Sequence, residues 1–276
     1  MNIIVCIKQV PETTEVRINP ETNTLMREGV KSIINPFDMY AIEEAIRLKE
    51  RFGGKVTVVT MGPPQAESAL REAISMGADE GYLVGDRAFA GSDTWATSYT
   101  LAGAIKKINQ INVANNSLAD SGKGHGIDLI LCGKQASDGD TAQVGPGIST
   151  HLNIPQVTYV KKIEEVKEGM MRLERMLEEG YEIIETSLPA LLTVVKEINE
   201  PRIPSLKGLM RAKSAKITAL TQKELNLDPQ QIGLCGSPTQ VVKIFTPKPR
   251  AGGQILKGEI PDITKQLVDL IKDEVN

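Results

Sequence analysis

The sequence predicts an α/β protein: a Rossmann-like, doubly wound, mostly parallel sheet with additional antiparallel strands and an extended C-terminal arm. Three observations predict it. Short runs rich in Val and Ile recur along the chain, each followed by loop residues and then a stretch with helical spacing, the pattern of βαβ units. After Val157 come alternating segments, MRLERML, YEIIETS and ALLTVV, which suit antiparallel strands covering the sheet. The final fragment, PDITKQLVDLIKDEVN, is amphipathic and follows a Pro- and Gly-rich stretch, Gly233 to Gly258, with few helix signals.

The elements follow in order. Ile3 to Ile7 is the first strand; the run is too short for a signal sequence or a membrane span and no basic stretch precedes it, so the expectation is a cytoplasmic protein without membrane insertion. MYAIEEAIRLKERFGG reads as a helix with Asp38 as N-cap, Gly53-Gly54 as stop, and Ile42, Ala45 and Ile46 on its buried side. Val56 to Thr60 is the second strand, and AESALREAISMG the second helix, entered through Gly62-Pro63-Pro64 and closed at Gly77. Tyr82 to Val84 precedes a third helix from about Thr94 to Ile108. INVANNSLADSGKGHG reads as a surface insertion with His125 in a solvated loop. The strands Leu129 to Cys132 and Val157 to Val160 come next. INEPRIPSLKGLMRAKSAKI is basic, prolyl and irregular. The last helix, started by Pro261 and Asp262, carries Ile263, Leu267, Leu270, Ile271 and Val275 along one side, which either folds back on its own domain or reaches a partner.

Composition removes several functions. The net charge of the 276 residues is -3, so the basic footprint of a nucleic-acid binder is missing. Three widely spaced cysteines, Cys6, Cys132 and Cys235, argue against a disulfide framework or a metal site and for reduced thiols. With only two histidines, His125 and His151, a histidine-based triad has little material.

Ligands of open α/β sheets collect where loops leave the carboxyl ends of strands. The richest such loop is CGKQASDGDTAQVGPG, Cys132 to Gly147, read as a phosphate and ribose cradle for an adenine nucleotide. Gly133 lets the chain turn, SDGDT supplies helix-start chemistry, and Gly145 and Gly147 allow close backbone approach. It is neither GxGxxG nor GxxxxGK[ST]. Asp138 and Asp140 would repel a phosphate, so they are assigned to ribose hydroxyls or capping, and the phosphates to backbone N–H groups, Thr141 and the helix dipole, with Lys134 and Gln135 assisting. The first loop offers Cys6, Lys8 and Gln9; IINPFD offers Asn35 to Asp38; DRAFAGSDTWAT places Arg87 near Gly91-Ser92-Asp93-Thr94 at a helix start, a second plausible anion site. The bland alternatives, a capped βα turn, a buried apolar Cys6 and a surface turn, stay open on these residues alone.

Taken together, IKQV, SIINPFD, MGPPQ with SMGADE, CGKQASDGDTAQVGPG and INEPRIPSLKGLMRAK resemble the β subunit of electron-transferring flavoproteins. The resemblance implies a heterodimer with a larger α subunit and a C-terminal arm that embraces it. It divides the chain into a nucleotide- and FAD-binding domain, 1–221, with a docking loop at about 197–211, and an arm, 222–276. It implies that an adenine nucleotide is held by Cys6, Asn35, Pro36, Phe37, Asp38, Met61 and the run Gly133, Lys134, Gln135, Ala136, Ser137, Asp138, Gly139, Asp140, Thr141, Ala142, Gln143, Val144 and Gly145. Simple members hold AMP there as a structural ligand; electron-bifurcating members hold a second FAD and bind NADH beside it. GPPQAESALREA and DRAFAGSDTWATS resemble the bifurcating kind, which makes Gly62, Pro64, Gln65, Arg87, Phe89, Gly91, Asp93 and Thr94 candidates for flavin and NADH contacts. The electrons would go to ferredoxin or flavodoxin and, through the α-subunit FAD, to a dehydrogenase of acyl-CoA or lactate type. That dehydrogenase would dock on Glu200, Pro201, Arg202, Leu206 and Met210, with Leu206 as apolar tip and Arg202, Lys207 and Arg211 making the contact salt-sensitive. The chemistry belongs to the flavin, so no catalytic side chain is assigned. The rivals are a non-bifurcating, AMP-holding β subunit and a flavin-free nucleotide-sensing or adenylate-transferring protein, against which no ATP-activating Gly-rich loop is visible.

Overall fold

The computed structural model describes residues 1–12, 17–18, 25–26, 32–117, 126–167, 169–242, 253 and 255–275. They fall into two units, Met1–Val242 and Lys243–Asn276. In chain order the strands are β1 (Asn2–Cys6), β2 (Gln9–Pro11), β3 (Arg17–Ile18), β4 (Leu25–Met26), β5 (Ser32–Ile34), β6 (Lys55–Met61), β7 (Glu80–Val84), β8 (Leu129–Gly133), β9 (Gln156–Lys167), β10 (Met170–Leu177), β11 (Gly180–Ser187), β12 (Ala190–Val194) and β13 (Ile217–Leu220). The helices are α1 (Pro36–Phe52), α2 (Glu67–Met76), α3 (Thr94–Ser117), α4 (Val144–Leu152), α5 (Leu206–Ser214), α6 (Gln222–Leu225) and α7 (Ile260–Val275).

One nine-stranded sheet, ordered β11-β10-β9-β12-β8-β1-β6-β7-β13, forms the body of the first unit, with β2–β5 and β3–β4 as separate two-stranded pieces. From β13 to β9 every pairing is parallel; β9, β10 and β11 are antiparallel. Side chains of a strand alternate between faces, so Ile3 and Val5 join one apolar cluster, with Ile42, Ile46, Leu70 and Ile74 of α1 and α2. Ile4 and Cys6 join the other, with Ile105, Ile108 and Ile148 of α3 and α4. Both faces of the central strands are thereby covered, as a parallel sheet requires.

Several expectations change. ALLTVV does not pair antiparallel over the sheet: β12 enters it in parallel between β8 and β9, buried at every residue. Its unbroken apolar run is the signature of a strand covered on both faces. β9, β10 and β11 continue the sheet edgewise instead of covering it. Helix α1 begins at Pro36, with Asn35 in the N-cap position and Asp38 buried within the first turn; the fixed φ of proline suits it to that first position. Helix α3 runs past Ile108 to Ser117, so the front of the expected insertion is helical, while its remainder, 118–125 with His125, lies outside the described residues. The prolyl segment after Glu200 contains α5, capped by the Ser205 side chain accepting from the Gly208 N–H, and β13 adds an edge strand beside β7. The first unit also runs on past 221 to Val242, because Leu225, Leu227 and Ile232 pack into the α3 side of the core.

In the second unit, α7 forms from its expected start, and Leu267, Val268, Leu270 and Ile271 are all exposed. No helix among the described residues is long and apolar enough to cross a membrane.

Candidate functional site

Strand β1 pairs with β6 on one side and with β8 on the other, so the chain order reverses there, and the crevice beyond the carboxyl ends of β1 and β8 is the switch point at which such sheets bind ligands. Asn35 and Asp38, at the start of α1, tie the walls of this crevice together. Asp38 accepts from the Lys8 N–H at 2.7 Å, from the Gly133 N–H at 3.2 Å and from the Asn35 side-chain amide at 3.0 Å. Asn35 also donates to the Gln135 carbonyl at 2.8 Å and accepts from the Ser137 N–H at 3.0 Å. Burial pushes the Asp38 carboxyl up to about 7, against the pull of these donors. A Cβ at Gly133 would lie 2.4 Å from Asp38 Oδ1 and 2.6 Å from the Phe37 backbone carbon, so this turn needs glycine.

Both acids of the loop that leaves β8 have partners on this chain. Asp138 pairs with Lys8 at 2.6 Å, and Asp140 accepts from the Gln135 side chain. Neither caps α4: the helix starts at Val144 behind Gln143, with no side-chain cap, which leaves its first backbone N–H groups for an anion or water. The helix-start role expected of SDGDT is therefore displaced, because the turn closed by the Asp140 N–H on the Ala136 carbonyl carries the chain further before the helix begins. Asp140 and Ala142 both hold φ 55°, a left-handed conformation costly for residues with a Cβ and typical of functional loops. Ser137, Asp138, Gly139, Asp140 and Thr141 are exposed. Gly145 and Gly147 serve packing rather than ligand approach: a Cβ on either would strike Thr193 or Ser98 at 2.7 Å or less.

Tyr159 adds to what the sequence indicated, beside Lys134. The Lys134 ammonium lies 5.0 Å from the Tyr159 ring centre and 5.8 Å from that of Phe37, and pairs with no carboxylate among the described residues. Tyr159 holds φ 58°, while its N–H donates to Thr193 at 3.2 Å. No local motif announces it; only the irregular β9–β12 pairing brings it to the carboxyl edge. Cys6 and Cys132 are register partners on β1 and β8, both buried free thiols. A hydrogen bond to Cys6 and burial push the Cys132 thiol well up, so Cys132 does not behave as a nucleophile.

The second rim follows β6 and β7. Met61 ends β6, the Gly62 N–H donates to Val84 at 3.0 Å, and Gln9 reaches across to the Gln65 carbonyl at 3.1 Å and to Ser68 at 2.7 Å. Pro64 and Arg87 are exposed. Phe89 packs into the core beneath the rim, since the short helical turn Arg87–Phe89 directs it inward. Asp93 is committed internally: it accepts from the Trp95 and Ala96 N–H groups at the start of α3, and from Thr239 at 2.8 Å. Gly91, at φ 76°, lies against Leu234. Thr94 donates to Gln143 at 3.3 Å, which joins the two rims, and a cavity of about 260 Å³ opens there between Thr94, Trp95, Ser98, Gln143, Pro146, Gly147 and Thr150.

At the expected docking segment, Glu200 and Pro201 lead into an exposed apolar group: Ile203 is 91% exposed, Leu206 76% and Met210 66%. Ile203 is a member the sequence reading missed. Arg202 and Arg211 do not flank this group as free cations, because both are spent on acceptors of this chain.

A doubly wound sheet with polar, strained loops gathered at its switch point defines an α/β protein of the Rossmann-like class. Residues 22–225 match the electron transfer flavoprotein domain, and the chain belongs to the electron transfer flavoprotein family. It is 53% identical over 270 residues to the electron transfer flavoprotein subunit beta of Thermoanaerobacterium thermosaccharolyticum, covering 98% of this chain and 97% of that protein. It is 47% identical over 276 residues to the caffeyl-CoA reductase-Etf complex subunit CarD of Acetobacterium woodii, covering 99% of each, and 49% identical over 254 residues to protein FixA of Azotobacter vinelandii, covering 91% and 86%. β subunits of this family transfer electrons as heterodimers with an α subunit and work with dehydrogenases.

Proposed function

We propose that this chain is the β subunit of an electron-bifurcating flavoprotein, which holds FAD at the switch-point crevice and takes hydride from NADH beside it. The observation that carries this reading is the Thr94–Gln143 contact: it joins the nucleotide loop to the segment Arg87 to Thr94, so one extended ligand reaches both without leaving the carboxyl edge. Resemblance of GPPQAESALREA and DRAFAGSDTWATS to bifurcating members, and likeness to a subunit of a caffeyl-CoA reductase-Etf complex, support it.

The residues present fit the ADP half of such a cofactor. Lys134 is a cation without a carboxylate partner among the described residues, the α4 N-terminus is uncapped, and of the nearby acids Asp138 is paired with Lys8 and Asp140 is hydrogen-bonded by Gln135. Asp138 and Asp140 remain exposed beside their partners and can also accept from ribose hydroxyls. Asn35 and Asp38 hold the loop in shape without reaching solvent. When bound, the flavin supplies two-electron acceptance from NADH and delivery of single electrons to a ferredoxin or flavodoxin and, through the α-subunit FAD, to a dehydrogenase of acyl-CoA or lactate type. The chain's share is to bind, orient and tune. The C-terminal arm, beyond Val242 and ending in α7, contacts the α subunit with the exposed apolar side of that helix, and the segment Glu200 to Met210 docks the dehydrogenase.

Cofactor content tests the reading. The purified heterodimer should carry two FAD and oxidise NADH only when both acceptors are present. One FAD with one AMP would make it a non-bifurcating relay instead, and a colourless heterodimer that turns over ATP would move it to another class. Co-eluting chains from the source organism would name the dehydrogenase.

A further inference from the structure

The segment from Asn199 to Ala215 is fastened to the body by three arginines, each spent on acceptors of this chain. Arg202 donates to Glu43 at 2.8 Å and to Glu50 at 2.6 Å through its side chain, and to Glu43 again through its backbone N–H at 3.2 Å. Glu43 is buried on α1 and also accepts from Arg47 at 2.6 Å. Burial pushes its carboxyl up, but the hydrogen bonds of Arg202 and Arg47 outweigh that and hold it below the usual range. Next to this pair, Asn199 donates to Glu44 at 2.9 Å and to the Tyr40 carbonyl at 3.0 Å. On the far side, Arg211 donates to the carbonyls of Ile74 and Ala78 at 2.8 and 2.6 Å, and Arg71 to that of Ala212 at 2.6 Å, each at the C-terminal end of a helix, where cations are favoured. Between these fastenings stand Ile203, Leu206 and Met210, fully turned to solvent.

We infer that Arg202 is a positioning residue: its bridge to Glu43 and Glu50 holds Ile203 and Leu206 as a rigid apolar platform for the partner dehydrogenase, and the guanidinium itself does not touch that partner. The inference rests on the docking reading given under Proposed function. A preorganised platform loses little conformational freedom on binding, so the bridge acts on affinity and not on the electron-transfer step. A rim cation, by contrast, would show itself in the salt dependence of the encounter.

The test uses the cofactor-loaded heterodimer and the dehydrogenase that co-purifies with it. In Arg202→Gln, hydrogen exchange of the amides of 199–206 should rise at least tenfold, and KM for the dehydrogenase about tenfold, with kcat and nucleotide content unchanged. Arg202→Lys should recover part of both, and Glu50→Gln, at an exposed carboxylate, should give an intermediate effect. The salt dependence of KM should be the same in Arg202→Gln as in the native chain. Unchanged exchange in Arg202→Gln would overturn the clamp, and a flattened salt dependence would overturn the claim that Arg202 stays off the partner. Raised exchange with unchanged KM in Arg202→Gln overturns the positioning role if Leu206→Ala still raises KM. If Leu206→Ala leaves KM unchanged too, the docking reading falls and the inference falls with it.

Discussion

The two ends of helix α1 serve two different surfaces. At its N-terminus, Asn35 and Asp38 organise the loop that leaves β8; further along, Glu43 and Glu50 organise the segment from Asn199 to Ala215. Both surfaces rest on a buried carboxylate from α1, yet the partners differ. Asp38 is held by neutral N–H donors, whereas Glu43 is held by two guanidinium groups. The first arrangement leaves Asp38 pushed up to about 7, and the second holds Glu43 low. The surfaces differ as well: the loop that leaves β8 carries exposed polar residues and left-handed backbone at Asp140 and Ala142, whereas the segment fastened by Arg202 exposes Ile203 on a prolyl stretch and Leu206 and Met210 on α5. A carboxylate satisfied by backbone amides shapes a loop, and one satisfied by arginine anchors a segment.

Three tests would break or sharpen this contrast. The largest effect belongs to Gly133→Ala, which forces a methyl group into Asp38 and the Phe37 backbone; it should cost about 2 to 3 kcal/mol and strip the nucleotide from the purified heterodimer. Thermal melts and nucleotide content report it, and a variant that keeps its nucleotide would show that the knot around Asp38 is dispensable.

Asp38→Asn gives a smaller, pH-dependent effect. A carboxyl raised from 3.8 to about 7 in the folded chain keeps its proton in the window where the unfolded chain has lost it. Its contribution to stability is therefore present below pH 3.8 and is lost as pH rises toward 7. The native melting temperature should fall, relative to Asp38→Asn, between pH 5 and 7; parallel profiles would mean that the amide donors already keep Asp38 ionised. The corresponding Glu43→Gln profile should run the other way, because a lowered carboxyl contributes stability that is lost as pH falls through its folded value.

The smallest effect separates the two backbones. Ala142→Gly relieves a left-handed residue and should stabilise by up to about 1 kcal/mol in denaturant melts, whereas Met210→Gly, inside α5, should destabilise by about 1 kcal/mol. Equal signs would remove the distinction between a strained loop and a regular platform.

What could be read from the chain, and what could not, follows the range over which the determining forces act. Apolar runs of Val and Ile declare parallel strands locally, and β1, β6, β7 and β8 fall where those runs stand. β12 was misplaced because it follows a hairpin in sequence, although its five buried residues carry the mark of a central strand. β13 is a half-buried tetrapeptide at the edge, with too few residues to show a period. Asn35 was legible as part of a motif but its role was not, since its partners Gln135 and Ser137 stand about a hundred residues away. Tyr159 and Ile203 carry no local signal at all; a distant hydroxyl and a distant ion-pair cluster determine where they point.

The insertion of β12 bears on how the molecule comes into being. The chain makes β8 and β9, completes the β10–β11 hairpin, and only then returns to place Ala190–Val194 between them. Until residue 194 is available, β8 and β9 each present an open edge, and open edges invite pairing with other chains. The crevice waits on the same event, because the Lys134 N–H is anchored on the Val194 carbonyl and Tyr159 on Thr193. During synthesis, then, the switch-point crevice is completed late, and a fragment ending before Ala190 would keep most of the motif residues yet have neither a continuous sheet nor a formed crevice.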